Sequence, residues 1–242
     1  LSAAAASCAQ RQELVPGQRG RHDQQGHQEQ LQQQYAHLWA VCQTTDGDRR
    51  HNDRMSHDVD DSWDRIEAWL RTNAPTTYGH VGVPARKADI PPVAALVGEL
   101  PEDLIAWWRR SCGTTKPMAA RLLVGYAPYS IEEALDCRSV MLGIAGGEEL
   151  SAKPAGSPTG LSWSPMWVPI AGDSGGDDLF VDLRPGPERG CVMEWRETEG
   201  AAEPLWSSVA DMLAEIADAL DRGKDIDGVC PEVRDDGTIH WD

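Results

Sequence analysis

Apolar positions along the chain follow two rhythms, one helical and one alternating. From Asp61 to Arg71, Trp63, Ile66, Trp69 and Leu70 recur at helical spacing on one face. Asp61 or Ser62 can cap this helix, Glu67 and Arg71 form an i,i+4 pair, and Asn73-Ala74-Pro75 stops it. Thr76–Ile90 reads as a loop. Pro91-Pro92 opens a second helix that runs to about Gly98. Leu100-Pro101-Glu102-Asp103 starts a third, with proline at the first helical position and two acids at the positive end of the dipole. Trp107 and Trp108 sit roughly 100° apart on that helix, so both cannot face inward, and Trp108 is a candidate surface anchor. Ser130-Ile131-Glu132-Glu133 is a capping-box-like start to a helix reaching about Gly146. The clearest helix spans Leu205–Leu220. Leu205, Val209, Met212, Leu213, Ile216 and Leu220 form its stripe, Ser208 and Asp211 its cap, and Gly223 its end.

The alternating rhythm lies between these helices. Arg121–Tyr126 reads as a short strand. Met166–Ala171, Leu179–Leu183 and Cys191–Trp195 read as three more, separated by turn regions at Gly172–Asp178 and Arg184–Gly190. Turns this short join antiparallel neighbours. Pro169 suits an edge position or a strand end. Trp163, Trp167 and Trp195 can be exposed anchors for a partner or core residues; Trp163 and Trp167 share a face of an extended segment, so one inside implies both, and the core is the placement expected. Gly146–Gly160 is a small-residue loop expected to be mobile. Asp235-Asp236-Gly237 is a hairpin corner before a strand at Thr238–Trp241. The fold class expected is α+β: a mixed or mainly antiparallel sheet of about four to six strands flanked by about four helices.

Residues 1–54 break the pattern. They are rich in Gln, Arg and His, and Gln24–Gln34 holds one leucine in eleven positions. Such a segment buries too little to offset its ordering entropy. The chain starts with Leu, and Met55 stands just before the first strong helix. The expected organisation is a disordered or dispensable extension at 1–54 and one domain at 55–242.

Charge narrows the partners. The formal net charge is −17, and residues 1–54 hold six basic and six acidic side chains, so the whole excess lies in 55–242. DNA, RNA and anionic membranes are poor direct ligands for such a surface, whereas a basic protein is a good one. The six cysteines form no C-x-x-C pair and have no histidine cluster beside them, so neither zinc nor a disulfide framework is expected. No cofactor motif occurs. Reduced thiols fit a cytoplasmic protein.

Candidate chemistry gathers between Trp163 and Trp195. Gly172-Asp173-Ser174-Gly175-Gly176 resembles the pentapeptide around the nucleophile of chymotrypsin-like proteases. Against it stand the helices, the lack of a well-placed upstream histidine, and Asp177 where proline usually follows. Asp173, Asp177, Asp178 and Asp182 form an acidic cluster. It can be corner chemistry, a Ca²⁺ site without EF-hand spacing, or an acidic edge for a partner. In a strand, Asp178 and Asp182 face one side and Leu179 and Leu183 the other. No catalytic or metal-binding residue is assigned; the partner-binding candidates are these four aspartates with Trp108 and Trp167.

The same stretch resembles the SUKH superfamily, which includes fungal cell-wall assembly regulators and many bacterial proteins. The matching positions are Trp167, Val168, Pro169, Ile170, Ala171, Asp173, Gly176, Asp177, Asp182, Pro185, Gly186, Gly190, Val192 and Trp195. Trp63–Leu70, Pro92 and Leu100-Pro101 upstream, and Ser207-Ser208 downstream, extend it to roughly residues 60–222. The resemblance implies a non-enzymatic protein-binding domain. In bacterial members the usual role is immunity, neutralising a cognate toxin, and the acidic balance fits a basic nuclease toxin. A regulatory scaffold, as in the fungal members, is the alternative. A hydrolase using Ser174 or the Asp cluster is a further one.

Overall fold

The structure is a computed structural model and describes residues 46–147, 150 and 152–242, with side chains from Val59 onward. Arg50–Asp242 forms one compact unit. Six helices are described: α1 (Asp46–Asn73), α2 (Pro75–Tyr78), α3 (Ile90–Val97), α4 (Glu102–Arg110), α5 (Ile131–Ala145) and α6 (Val209–Arg222). A five-stranded antiparallel sheet runs in sequence order through β1 (Ala127–Pro128), β2 (Trp167–Gly172), β3 (Asp178–Asp182), β4 (Val192–Arg196) and β5 (Gly200–Ala201). A separate hairpin joins β6 (Pro231–Val233) to β7 (Ile239–Trp241). The α+β expectation therefore holds. Most of the 1–54 extension lies outside the described residues, and the first helix starts well before Asp61, at Asp46.

Strands β2 to β5 form a meander through short connections, whereas β1 reaches β2 through residues 129–166, which carry α5. Trp167–Pro169 pair with β3 but lie beyond the two residues that β1 covers, so the missing N–H of Pro169 faces an open edge. A register shift between Pro169 and Ala171 relieves the rest of the mismatch. Arg121–Tyr126, expected as a strand, instead makes a turn closed by paired Leu123 and Tyr126 backbone bonds, with Val124 at φ 52° and Gly125 at φ 93°. The first strand begins only at Ala127.

Period-two alternation gives the sheet two apolar faces. One carries Val168, Leu179, Val181 and Val192 into a large core completed by Trp63, Ile66 and Leu70 of α1, Leu104 of α4, and Met212, Leu213 and Ile216 of α6. The other carries Trp167, Phe180, Met193 and Trp195, which pack with Trp163 and with Met141 of α5.

Local capping explains the helix boundaries. Ser130 and Glu133 form the reciprocal capping box at α5. Ser208 accepts from the Asp211 N–H at α6, and Gly223 ends that helix in the left-handed region. Leu205, expected at the start of this helix, lies before the cap and is 38% exposed. Asp103 is buried in the first turn of α4, where it accepts from its neighbour Leu104 and, at 3.0 Å, from the Ala210 N–H of α6. One carboxylate thus serves the N-termini of two packed helices. The terminal hairpin docks on α2, where Thr77 accepts from Ile239 N–H and donates to the Ala119 carbonyl.

Leu213 is fully buried between α6 and the sheet. Leu213→Ala should cost about 2–5 kcal/mol, as large-to-small core changes do. Urea unfolding checks this. A loss below about 0.5 kcal/mol, typical of surface positions, would place the α6 stripe in solvent.

Candidate functional site

The corner between β2 and β3 is built from its own aspartates. Asp173 Oδ1 accepts from the N–H groups of Gly175 (2.6 Å) and Asp177 (3.0 Å), and the backbone of Asp173 pairs with that of Asp177. Ser174 and Gly176 adopt positive φ, 68° and 113°. Asp177 reaches the next corner, where Oδ1 accepts from the Glu197 N–H at 2.9 Å. Arg121 donates to the Asp173 carbonyl. Both residues are half-buried, and each uses its Oδ1 to accept from the backbone.

Asp178 and Asp182 do share one face, as alternation requires, but that face points inward toward the tryptophan cluster. Asp178 accepts from the Tyr129 hydroxyl at 2.7 Å and the Cys137 thiol at 3.6 Å. Tyr129 Oη lies so close to Gly172 that a Cβ there would overlap it, so any larger residue would have to displace the Tyr129 ring. Asp182 is fully buried. It receives Arg184 through its backbone N–H, Nε and Nη2, the last at 2.6 Å, and receives Gly156 N–H at 2.9 Å. Arg184 is also fully buried, lies 5.3 Å from the Trp167 ring and donates to the Ser157 carbonyl. Ala155 N–H donates to the Pro185 carbonyl. The described part of the 146–160 loop, expected to be mobile, is therefore pinned to an internal ion pair.

Four of the six partner-binding candidates are consequently removed from the surface. Asp178, Asp182, Trp108 and Trp167 are all buried. Trp107 and Trp108 both face protein because α4 is enclosed on two sides. Trp107 meets Trp63 with ring centroids 6.4 Å apart. The 80–85 segment crosses beside Trp108, whose carbonyl accepts from Ala85 N–H, and is pinned by Gly82 N–H to Gly113 and Cys112 N–H to Val83. Trp167 stacks on Phe180 at 4.0 Å and 25°. Asp173 and Asp177 remain partly accessible, as elements of the corner.

Ser174 is exposed, with no hydrogen-bonded base among the described residues. His80 pairs with Thr115, and His240 with Asp242. Among the described residues no three His, Cys, Asp or Glu side chains are grouped to hold a metal ion. Burial pushes the Cys191 thiol up to about 12 and raises Cys137 as well, so neither is a poised nucleophile.

Asp178 makes the burial cost measurable. Burial raises its carboxyl above the ordinary 3.8, against the lowering pull of the Tyr129 and Cys137 hydrogen bonds. A folded pKa above the unfolded one means stability present below the unfolded value and lost as pH rises through the folded value. Wild type should therefore lose stability relative to Asp178→Asn as pH climbs from 3.8 upward. Guanidinium midpoints of both proteins across that range test the sign; a constant difference would remove Asp178 from the pH response.

The open surface lies elsewhere. A groove of about 420 Å³ runs between the 82–83 and 112–115 segments and the start of α5, lined by Val83, Cys112, Thr114, Glu132, Glu133 and Asp136 among others. Among the described residues no basic side chain lines it.

Residues 84–215 match the SMI1 / KNR4 family (SUKH-1). The chain belongs to that family. The match starts in the loop before α3 and ends inside α6, so it is narrower at both ends than the sequence resemblance. It contains the whole five-stranded sheet together with α3, α4 and α5. No curated protein matches the chain. Among the described residues no helix is long and apolar enough to cross a membrane. For a SUKH-1 domain, the aspartates of the β2–β3 corner and of β3 are here framework: they close turns, cap backbone and hold Arg184.

Proposed function

We propose that this SUKH-1 domain is a non-enzymatic immunity protein that binds and neutralises a cognate toxin, and that the toxin is a basic nuclease. Family membership supports a non-catalytic domain. The observation that carries the finer step is the position of the free charge. The corner aspartates are half-buried and tied to the backbone through Oδ1, whereas Glu132 and Asp136 stand exposed beside an acid-lined groove. Acidic side chains so placed occupy a cationic surface meant for phosphates, and they repel nucleic acid and anionic membrane. The complex forms in the cytoplasm, where a nuclease would otherwise reach its substrate.

Affinity purification from the native cell, followed by mass spectrometry, identifies the partner. A toxin gene beside this one separates immunity from a regulatory scaffold. The purified pair should associate under charge steering. Between about 0.05 and 0.5 M salt the Debye length shortens from roughly 14 to 4 Å, so the on-rate should fall steeply. An on-rate indifferent to salt, or a partner without a basic face, would remove the nuclease assignment. Hydrolytic activity lost on Ser174→Ala would restore an enzymatic role.

A further inference from the structure

Helix α5 divides cleanly between a buried and an exposed face. At 100° per residue, the buried and half-buried positions Ile131, Ala134, Leu135, Cys137, Met141 and Ala145 point to the sheet side. The exposed positions Glu132, Glu133, Asp136, Ser139, Val140, Gly143 and Ile144 fall in one sector of roughly 140°. That outer stripe is not uniform. Its first two turns are acidic and border the groove. Its last two turns carry Val140 and Ile144, 60% and 75% exposed, with the small residues Ser139 and Gly143 beside them. β-Branched residues lower helix propensity, so on a solvent face these two weaken the helix, and among the described residues they belong to neither core cluster. An outward helix face normally carries polar side chains.

Neighbouring segments extend both ends. Val83, 77% exposed, lines the groove at the acidic end. At the apolar end Trp163 N–H donates to the Ala145 carbonyl, which sets Leu161, 57% exposed, two residues from the helix terminus contact. The nearby cation Arg86 is already held by both oxygens of Asp89, at 2.9 and 2.8 Å. Arg86 feels the charge of Glu132, but its salt bridge is to Asp89, and among the described residues no salt bridge engages Glu132 or Asp136. Glu133, by contrast, is engaged in the capping box.

We infer that the outer stripe of α5 is the docking surface for a basic amphipathic segment of a protein partner, with apolar anchors on Val140 and Ile144 and cationic side chains on Glu132 and Asp136. Charge complementarity selects a basic occupant at one end, and the exposed aliphatic pair selects an apolar one at the other. Eight residues of helix separate the two ends, about 12 Å, so the partner presents its anchors and cations two helical turns apart. The inference rests on the protein-binding reading above and gives it a location.

The probe is a fluorescein-labelled helical peptide of about 18 residues, with Leu at i, i+3 and i+4 near one end and Lys two turns away. Anisotropy titration with the full chain should show saturable binding. Ile144→Asp and Asp136→Lys should each weaken it about tenfold or more, equivalent to about 1.4 kcal/mol. Leu96→Asp, at another exposed position, should leave it unchanged. All three positions are exposed, and melting curves should match wild type. A peptide with Glu for Lys should not bind. Absent binding, or binding equal in wild type and Ile144→Asp, would overturn the inference. So would a wild-type dimer in sedimentation that Ile144→Asp splits, since the stripe would then serve self-association. Copurification distinguishes the two levels. A native partner retained by both α5 variants moves the interface off α5 and leaves protein binding intact. No partner at all removes the function and the surface together.

Discussion

Asp182→Asn should destabilise the domain by about 3–5 kcal/mol, the range for breaking a buried ion pair from one side. Both Asp182 and Arg184 are fully buried. The substitution keeps the shape of the side chain but leaves a guanidinium in the interior facing an amide. Among the described residues Arg184 Nη1 already lacks a partner, so they offer no spare acceptor to the site. The damage should spread to the 155–157 segment, because Gly156 N–H donates to Asp182 and the Ser157 carbonyl accepts from Arg184. Limited proteolysis should therefore cut the 150–160 region faster in the variant. Replacing both charges, Asp182→Leu with Arg184→Met, should recover much of the loss, since the desolvation cost of two ions disappears with their attraction. Denaturant unfolding of the three proteins decides it. A single-variant loss under about 1 kcal/mol would mean water reaches the pair and the burial described here is wrong.

That pair also shows what the sequence could and could not convey. Helices with caps were readable: Ser130, Ser208 and Gly223 set boundaries through backbone groups a few residues away. The β2–β3–β4 meander was readable for the same reason, since its corners are local. Whether an aspartate faces in or out was not. Asp178 and Asp182 were placed on one side of a strand by alternation, yet alternation does not say whether that side meets solvent. Here α5 covers it, and α5 is remote in sequence. Trp108 illustrates the same limit from the helical side, because a second layer, the 80–85 segment, covers a face that helical geometry leaves outside. One signal was available for Arg184. A charge inside an apolar strand requires a counter-ion, and Arg184 stands two residues on, the spacing that shares a strand face. The α5 stripe was the least legible. Val140 and Ile144 are apolar positions of a helix whose outward side the sequence does not mark, and only the fold assigns them to the outer sector with Glu132 and Glu133.

Trp163→Ala is expected to cost about 3–5 kcal/mol, as Trp truncation in a core does. Trp163 lies outside the strands yet is fully buried at the centre of the second core. Its ring meets Trp167 edge-on at 5.2 Å, Trp195 at 5.3 Å and Phe180 at 5.4 Å. Such pairs each add about 0.5–1.5 kcal/mol beyond area burial. Its backbone bonds to Ala145 and Gly147 also tie the loop to the end of α5. Trp163→Phe isolates packing from polarity. Among the described residues the indole Nε1 has no hydrogen-bond partner, so phenylalanine gives up volume and no bond, and the loss should be clearly smaller than for alanine. Near-ultraviolet circular dichroism should lose aromatic signal in the alanine variant in step with stability. Met141→Ala, which trims α5 where it covers this core, should couple to Trp163→Ala in a double-mutant cycle rather than add to it. Because α5 carries the stripe assigned to the partner, loosening this layer should also weaken peptide binding, although neither residue touches the outer face. An alanine effect under about 1 kcal/mol with strict additivity would show that α5 does not seal this side of the sheet, and the stripe would then have no fixed platform from which to present Ile144 and Asp136 together.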